Sequence, residues 1–211
     1  MATREIFSVK TLKEKKYHMM ELAPEYAKLM GQPERKFTAI HYGESGSGKS
    51  VHTLRFADYF AKNFGKVLYN SHEESINKTI QDRINNFNID AKNLFVANAI
   101  NFNRMCDYIR KNYYKLVIID SVKYMNFTID ELKELRTSFA KRQISVIMID
   151  FGDTKGKPAS GKDLIHASDI KMYFNNGRVY SISRYLDKPV EQQIFIPQEV
   201  KKQPSLFNWG V

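Results

Sequence analysis

The sequence predicts an α/β fold: a mostly parallel central sheet with helices on both faces and a β-hairpin towards its C-terminal end. Three observations predict it. From residue 37 onwards, short runs of Val, Ile and Leu alternate with helix-length segments. Those runs are continuous rather than alternating, as expected of strands buried on both faces of a covered parallel sheet. Later, Asn175-Asn176-Gly177 separates two strand-like segments, and Asn-Gly supplies the positive φ that a tight hairpin needs.

Taken in order, residues 1–36 form a polar N-terminal helical extension. Thr11 to Leu22 has a helical pattern that breaks at Pro24, and Glu25 to Met30 forms a second short helix before Gly31. Lys10, Lys13, Lys15 and Lys16 make a basic cluster, which suits a solvated face as well as a contact with nucleic acid or a neighbouring subunit. The main domain is expected over residues 37–200. Its strands are Thr38–Tyr42, Lys66–Asn70, Leu94–Ala97, Lys115–Asp120 and Ser145–Asp150. Its helices are Val51–Phe64, Ser75–Phe87, Phe102–Asn112 and Ile129–Arg142. Phe151 to Lys162 is a glycine- and lysine-rich loop. The hairpin pairs Ile170–Phe174 with Arg178–Ser183, Gln192–Ile196 is a last strand, and residues 201–211 are a tail. No internal repeat or low-complexity linker divides the chain.

The totals bound the function. The chain has 211 residues, 43% of them hydrophobic and 27% charged, ordinary for a chain that buries a core. No apolar run approaches a membrane span, and Met1 to Glu5 opens no secretory signal, so a cytoplasmic protein is expected. The single cysteine, Cys106, excludes an internal disulfide and a cysteine-based zinc cluster, and its helical neighbours Met105 and Ile109 make it a small core residue. A net charge of +10 favours polyanionic partners, although the basic residues are spread along the chain.

Chemistry concentrates at Gly43-Glu44-Ser45-Gly46-Ser47-Gly48-Lys49-Ser50, which fits the G-x-x-x-x-G-K-[ST] phosphate-binding loop. Glycines let successive backbone N–H groups converge on phosphates. Lys49 supplies a charge to the β- and γ-phosphates, and Ser50 offers a hydroxyl to Mg²⁺. The helix that starts near Val51 directs its positive end at the same anion. A strand before the loop and a helix after it are the context that separates this motif from a chance Gly/Ser turn. ATP and Mg²⁺ are the expected ligands. Asp120, on the tip of an apolar strand, fits the Walker B position and would hold Mg²⁺ with Ser50. Glu73 and Glu74 follow the next strand. Either could polarise an attacking water, or both could simply favour the start of the following helix, and the residues alone leave both readings open.

With these segments together, the chain resembles the RecA-like ATPases. Gly43–Ser50, Val67–Ser75 and Leu116–Ser121 look like their counterparts in the RadA/Sms recombination ATPases, with DnaB-type helicase motor domains and KaiC proteins as cousins. Gly156 to Asp169 is similar to the RadA segment that places a Gly-rich loop before Leu-x-His-x-x-Asp. The resemblance covers about residues 26–197. It implies a RecA-like P-loop NTPase fold, ATP hydrolysis with Mg²⁺, and a homo-oligomeric ring or filament in which the nucleotide lies between subunits. It makes Glu73 the catalytic glutamate, with Glu74 in support. The loop Gly152–Lys162 falls where the family faces single-stranded DNA, and Lys155, Lys157 and Lys162 suit phosphate contacts. Two departures stand out. The family's His or Gln sensor should fall near Asp150–Gly152, and neither residue type is there. The Lys-Asn-Arg-Phe-Gly finger becomes Arg184-Tyr185-Leu186-Asp187-Lys188, so Arg184 alone would reach a neighbour's site. The expected function is an ATPase acting with single-stranded DNA in recombination, repair or replication. The alternative is a nucleotide-dependent switch that binds a protein partner with weak turnover. A small-molecule kinase would carry an arginine-rich lid, and Gly152–Lys162 contains no arginine.

Overall fold

The sheet of this protein, seen in a computed structural model that describes residues 6–73, 75–152 and 156–194, has eight strands. In chain order they are β1 (Thr38–Gly43), β2 (Val67–Ser71), β3 (Leu94–Asn98), β4 (Leu116–Asp120), β5 (Ser145–Phe151), β6 (Ile170–Asn175), β7 (Arg178–Ser183) and β8 (Val190–Gln193). Their spatial order is β3-β2-β4-β5-β1-β6-β7-β8. The first six of that order are parallel, and β7 and β8 complete the sheet as antiparallel strands. Every residue of β2 and β4 is buried, which is why these strands read as unbroken apolar runs.

Helices cover both faces. One face packs under α2 (Pro24–Met30), α3 (Lys49–Asn63) and α4 (Lys78–Asn86), with Leu29, Phe56, Phe60, Tyr69 and Ile118 in its core. The other packs under α5 (Phe102–Lys111), α6 (Val122–Met125), α7 (Ile129–Ser138) and α8 (Lys162–Ala167), with Met105, Ile109, Val117, Ile119 and Leu135 buried. Cys106 lies within this second core, and burial pushes its thiol up to about 11. No helix among the described residues is long and apolar enough to cross a membrane.

Several boundaries differ from expectation, each for a local reason. The N-terminal helix α1 is only Val9–Glu14, capped by Ser8, and buries none of its residues. Without an apolar face against the domain, nothing sustains it to Leu22. The next helix, α2, starts at Pro24 itself, where a missing N–H costs nothing. Ser75 takes φ 56°, outside the helical region, so α4 starts at Lys78 with Asn77 as its cap. Helix α7 begins on a Thr128–Glu131 capping box but stops at Ser138, gives way to a 3₁₀ turn over Ala140–Arg142, and ends at Gln143 with φ 52°. The final strand lies at Val190–Gln193, ahead of the expected Gln192–Ile196, whose last two residues fall outside the described residues. The hairpin matches expectation: Asn176 and Gly177 carry φ 46° and 75° between β6 and β7.

Candidate functional site

The strands β1, β2, β4 and β5 are parallel, so their C-terminal ends share one edge of the sheet. The loop Gly43–Ser50 leaves β1 at that edge and runs directly into α3. Its shape depends on glycine. Gly43 has φ 151°, and a Cβ there would stand 2.1 Å from the Phe174 carbonyl oxygen. Gly46 and Gly48 also take positive φ, and Gly48 caps α3 from the left-handed region. Ser47 closes the turn, its hydroxyl donating to the Glu44 carbonyl at 2.7 Å. Ser45 completes the loop, and Ser50 and Val51 lie in the first turn of α3.

Lys49 is 6% exposed. Its ammonium donates to the carbonyls of Gly43 and Glu44 at 2.9 and 2.6 Å, which folds it back over its own loop. Burial lowers its pKa, against the opposing charges of Glu73, Asp120, Asp150 and Glu44. The site therefore holds one buried cation whose charge is favoured by carboxylates from its own loop and from three other segments of chain.

Asp120 ends β4 and is 3% exposed. The Tyr69 hydroxyl donates to its Oδ2 at 2.5 Å. Because Ser71 is the register partner of Asp120, Tyr69 is its diagonal neighbour on the same face, within reach of a long aromatic side chain. The Asp120 carbonyl accepts the backbone N–H groups of His72 and Glu73, the latter at 3.1 Å. This bracket holds the chain after β2 against the tip of β4, so Glu73 and Asp120 share the edge with Lys49. His72 is directed elsewhere: its Nε2 donates to the Ile100 carbonyl at 2.8 Å. Glu74 lies outside the described residues.

Asp150, at the position where a polar sensor was expected, is fully buried and holds backbone instead. Its Oδ1 accepts from Phe151 N–H and its Oδ2 from Ser160 N–H, both at 2.9 Å. The loop that begins at Gly152 is thereby clamped at its far end beside the site. Gly152 itself donates to the Gly43 carbonyl at 2.8 Å, and a Cβ on it would press to 2.8 Å from Gly43. Lys157 belongs to this loop, Lys162 opens α8, and Lys155 lies outside the described residues.

Arg184 stands apart. It follows Ser183, which pairs with Ile170, and Ile170 pairs with Ala39 near the start of β1. Arg184 therefore lies at the opposite end of the sheet from Gly43, about 17 Å away along β1. Its guanidinium pairs with Asp169 at 3.0 Å and is largely exposed.

The sequence names these positions, Tyr69 within Val67–Ser75, Asp150 and Gly152 at the expected sensor and loop start, but it does not show the roles of Tyr69, of the Asp150 clamp or of Gly152 against Gly43. Tyr69 is recognisable only once the β2–β4 register is known, and Asp150 only once the loop folds back on it.

Ser50 and Asp120 offer hard oxygen donors, as Mg²⁺ prefers, and among the described residues no group of three or more His, Cys, Asp or Glu forms a self-sufficient metal cage. A magnesium ion that keeps its waters and shares nucleotide phosphates fits such a sparse donor set.

No protein-family model matches the chain. Among curated proteins it is similar to the DNA repair protein RadA. It is 28% identical over 144 residues to RadA of Campylobacter jejuni, covering 63% of this chain and 32% of that one. RadA of Helicobacter pylori is 29% identical over the same length, again with 63% and 32% covered. RadA of a Synechocystis species is 28% identical over 187 residues, covering 75% and 36%. The chain thus matches about a third of the length of these relatives. Among solved structures, a KaiC-like protein from Pyrococcus horikoshii aligns with a TM-score of 0.60 at 16% identity, covering 81% of this chain and 88% of that one. The flagellar accessory protein FlaH of Methanocaldococcus jannaschii gives 0.61 at 17% identity, with 85% and 96% covered. The fold is that of the RecA-like P-loop ATPases. Within that fold, the sequence resembles RadA.

Proposed function

We propose that this protein binds ATP with Mg²⁺ and hydrolyses it, as part of a homo-oligomer that acts with single-stranded DNA. The observation that carries the reading is the bracket at Asp120: one carbonyl holds the His72–Glu73 backbone against the strand whose carboxylate faces the phosphate-loop lysine. The chemistry follows from placement. The backbone of Gly43–Ser50 and the start of α3 cradle the phosphates. Lys49 releases its two carbonyls and takes the β- and γ-phosphate oxygens. Ser50 and Asp120 would hold a magnesium ion, which would neutralise charge on the phosphates. Glu73 accepts a hydrogen bond from the attacking water and orients it. Arg184 of a neighbouring subunit stabilises charge as the γ-phosphate departs. The DNA part of the reading rests on the +10 charge, the lysines of the loop after β5, and the similarity to a protein named for DNA repair.

One observation favours the second reading, a nucleotide-dependent switch with weak turnover. Where a donor would sense the γ-phosphate, Asp150 is an acceptor already committed to the backbone of the loop. Steady-state ATPase rates with and without single-stranded DNA, with particle mass measured in parallel, separate the two. The first predicts DNA-stimulated turnover. A switch predicts an ATP-dependent change in mass with negligible turnover.

A further inference from the structure

Among the described residues, α2 packs over one side of strands β6 and β7. There, α2 packs closely enough for Ser181 and Ser183 to donate to the Leu29 and Met30 carbonyls. On the other side the short helix α8 reaches β1, and beyond it Tyr180 and Ile182 of β7 are exposed among the described residues. The register sets three tyrosines across that face: Tyr42 pairs with Tyr173, and Tyr173 with Tyr180. Their ring centroids follow one another at 5.5 and 6.1 Å, tilted by 39° and 33°. The next row is Ile40, Lys171 and Ile182. A depression of about 600 Å³ lies over this face, bordered by Ile165 of α8 and by Pro189 and Val190. Tyr180 is 40% exposed and Ile182 57%. The loop after β5 crosses the row: a Cβ on Gly156 would stand 3.5 Å from the Tyr173 ring, and Lys157 follows it.

The face is cationic as well as aromatic. Its described charged groups are Lys171, Arg178 and Glu191, and the last two neutralise each other in a 2.8 Å ion pair. Lys171 leaves it positive, and Lys157 lies in the loop that crosses it. A polyanion with flat apolar faces matches it, because bases stack on tyrosine while lysines meet phosphates.

We propose that the Tyr42–Tyr173–Tyr180 face is a stacking platform for single-stranded nucleic acid, with a base on Tyr180 and backbone phosphates on Lys171 and Lys157. It rests on the DNA reading above and gives that reading a location beyond the loop itself. Anisotropy of a labelled oligo(dT), titrated at several salt concentrations, tests it. Tyr180→Ala is expected to weaken binding about tenfold with no change in salt slope, since it removes a stacked base and no phosphate contact. Tyr180→Phe keeps the ring and is expected to bind as wild type. Lys171→Ala is expected to lower the salt slope by about one. Thermal melts confirm that each variant is folded. Wild-type affinity in Tyr180→Ala overturns the platform while the DNA reading stands. A changed particle mass at unchanged affinity makes the face a subunit interface and overturns the platform too. Absence of oligo(dT) binding by the wild type at low salt, with ATP present, removes both.

Discussion

Glu73 is held against the tip of β4 through its backbone. Its N–H is held by the Asp120 carbonyl, so replacing the carboxylate leaves the bracket intact. Glu73→Gln should therefore bind ATP with affinity close to wild type and lose turnover by about 10²- to 10⁴-fold, the range for a positioned base. Equilibrium binding of a fluorescent ATP analogue beside steady-state hydrolysis reads both, and wild-type turnover would remove Glu73 from the mechanism. Gly43 makes the opposite case, where backbone alone matters. A Cβ there meets the Phe174 carbonyl oxygen at 2.1 Å, and the residue's φ of 151° disfavours any L side chain. Gly43→Ala should cost roughly 2–3 kcal/mol of stability, while Gly46→Ala, which meets open space but also has positive φ, should cost less. Urea titrations of the two variants give the comparison. Equal losses would mean that φ, not the β1–β6 approach, sets the requirement.

At the scale of elements, the join of β1 to α3 depends on two neutral histidines. Thr53 commits its hydroxyl hydrogen to the Lys49 carbonyl, so His41 Nδ1 donates to Thr53 Oγ1 at 2.7 Å and the buried Nε2 is left without a proton. His52 packs its ring 5.9 Å from His41 and 5.5 Å from Phe174. Burial, reinforced by the charge of Arg55, pushes His52 down to about 4, and burial also lowers His41 well below its ordinary value, with His52 adding to it. The sign follows: between pH 6.5 and about 4 the unfolded chain binds protons that the folded chain refuses, so stability is complete above pH 6.5 and falls as the pH drops. From pH 7 to pH 5, His52 alone should remove about 1–2 kcal/mol. Denaturant midpoints across that range measure it, and His52→Phe should flatten the profile. The same join shows what a sequence displays and what it hides. The phosphate loop, the apolar strands β2, β4 and β5, and the Asn176-Gly177 turn were legible because their causes are local: glycine dihedrals, continuous apolar runs, a turn dipeptide. The position of Glu73 against Asp120, the Tyr69 hydrogen bond and the Asp150 clamp were not, because each depends on which strands become neighbours. Helix ends went astray for a similar reason. Ser75 and Gln143 adopt positive φ under tertiary demand, although neither residue type announces it.

For the whole molecule, the decisive fact is that the proposed site is split along the sheet. The phosphate loop, Glu73 and Asp120 occupy the C-terminal edge of the parallel strands, and Arg184 occupies the other end, roughly five residues or ~17 Å away along β1. No side chain spans that distance, so Arg184 cannot serve its own nucleotide. In the proposed homo-oligomer, a head-to-tail contact would bring one chain's Arg184 end to the next chain's phosphate-loop edge, the heterologous geometry that closes into rings or continues as filaments. Arg184 would then leave Asp169, whose other oxygen stays engaged, accepting the Thr38 N–H at 2.9 Å. Mixing variants tests this arrangement. Lys49→Ala subunits lack a working phosphate loop but keep Arg184, and Arg184→Ala subunits are the reverse. Each alone should be inactive. Mixed in equal amounts at random, about one contact in four pairs an intact loop with an intact arginine, so close to a quarter of wild-type turnover should return. Light scattering of the same mixtures establishes that they assemble. If each variant alone is inactive and the assembled mixtures stay inactive too, both groups act within one chain and the trans arrangement is wrong; wild-type turnover of Arg184→Ala alone removes Arg184 from the mechanism altogether.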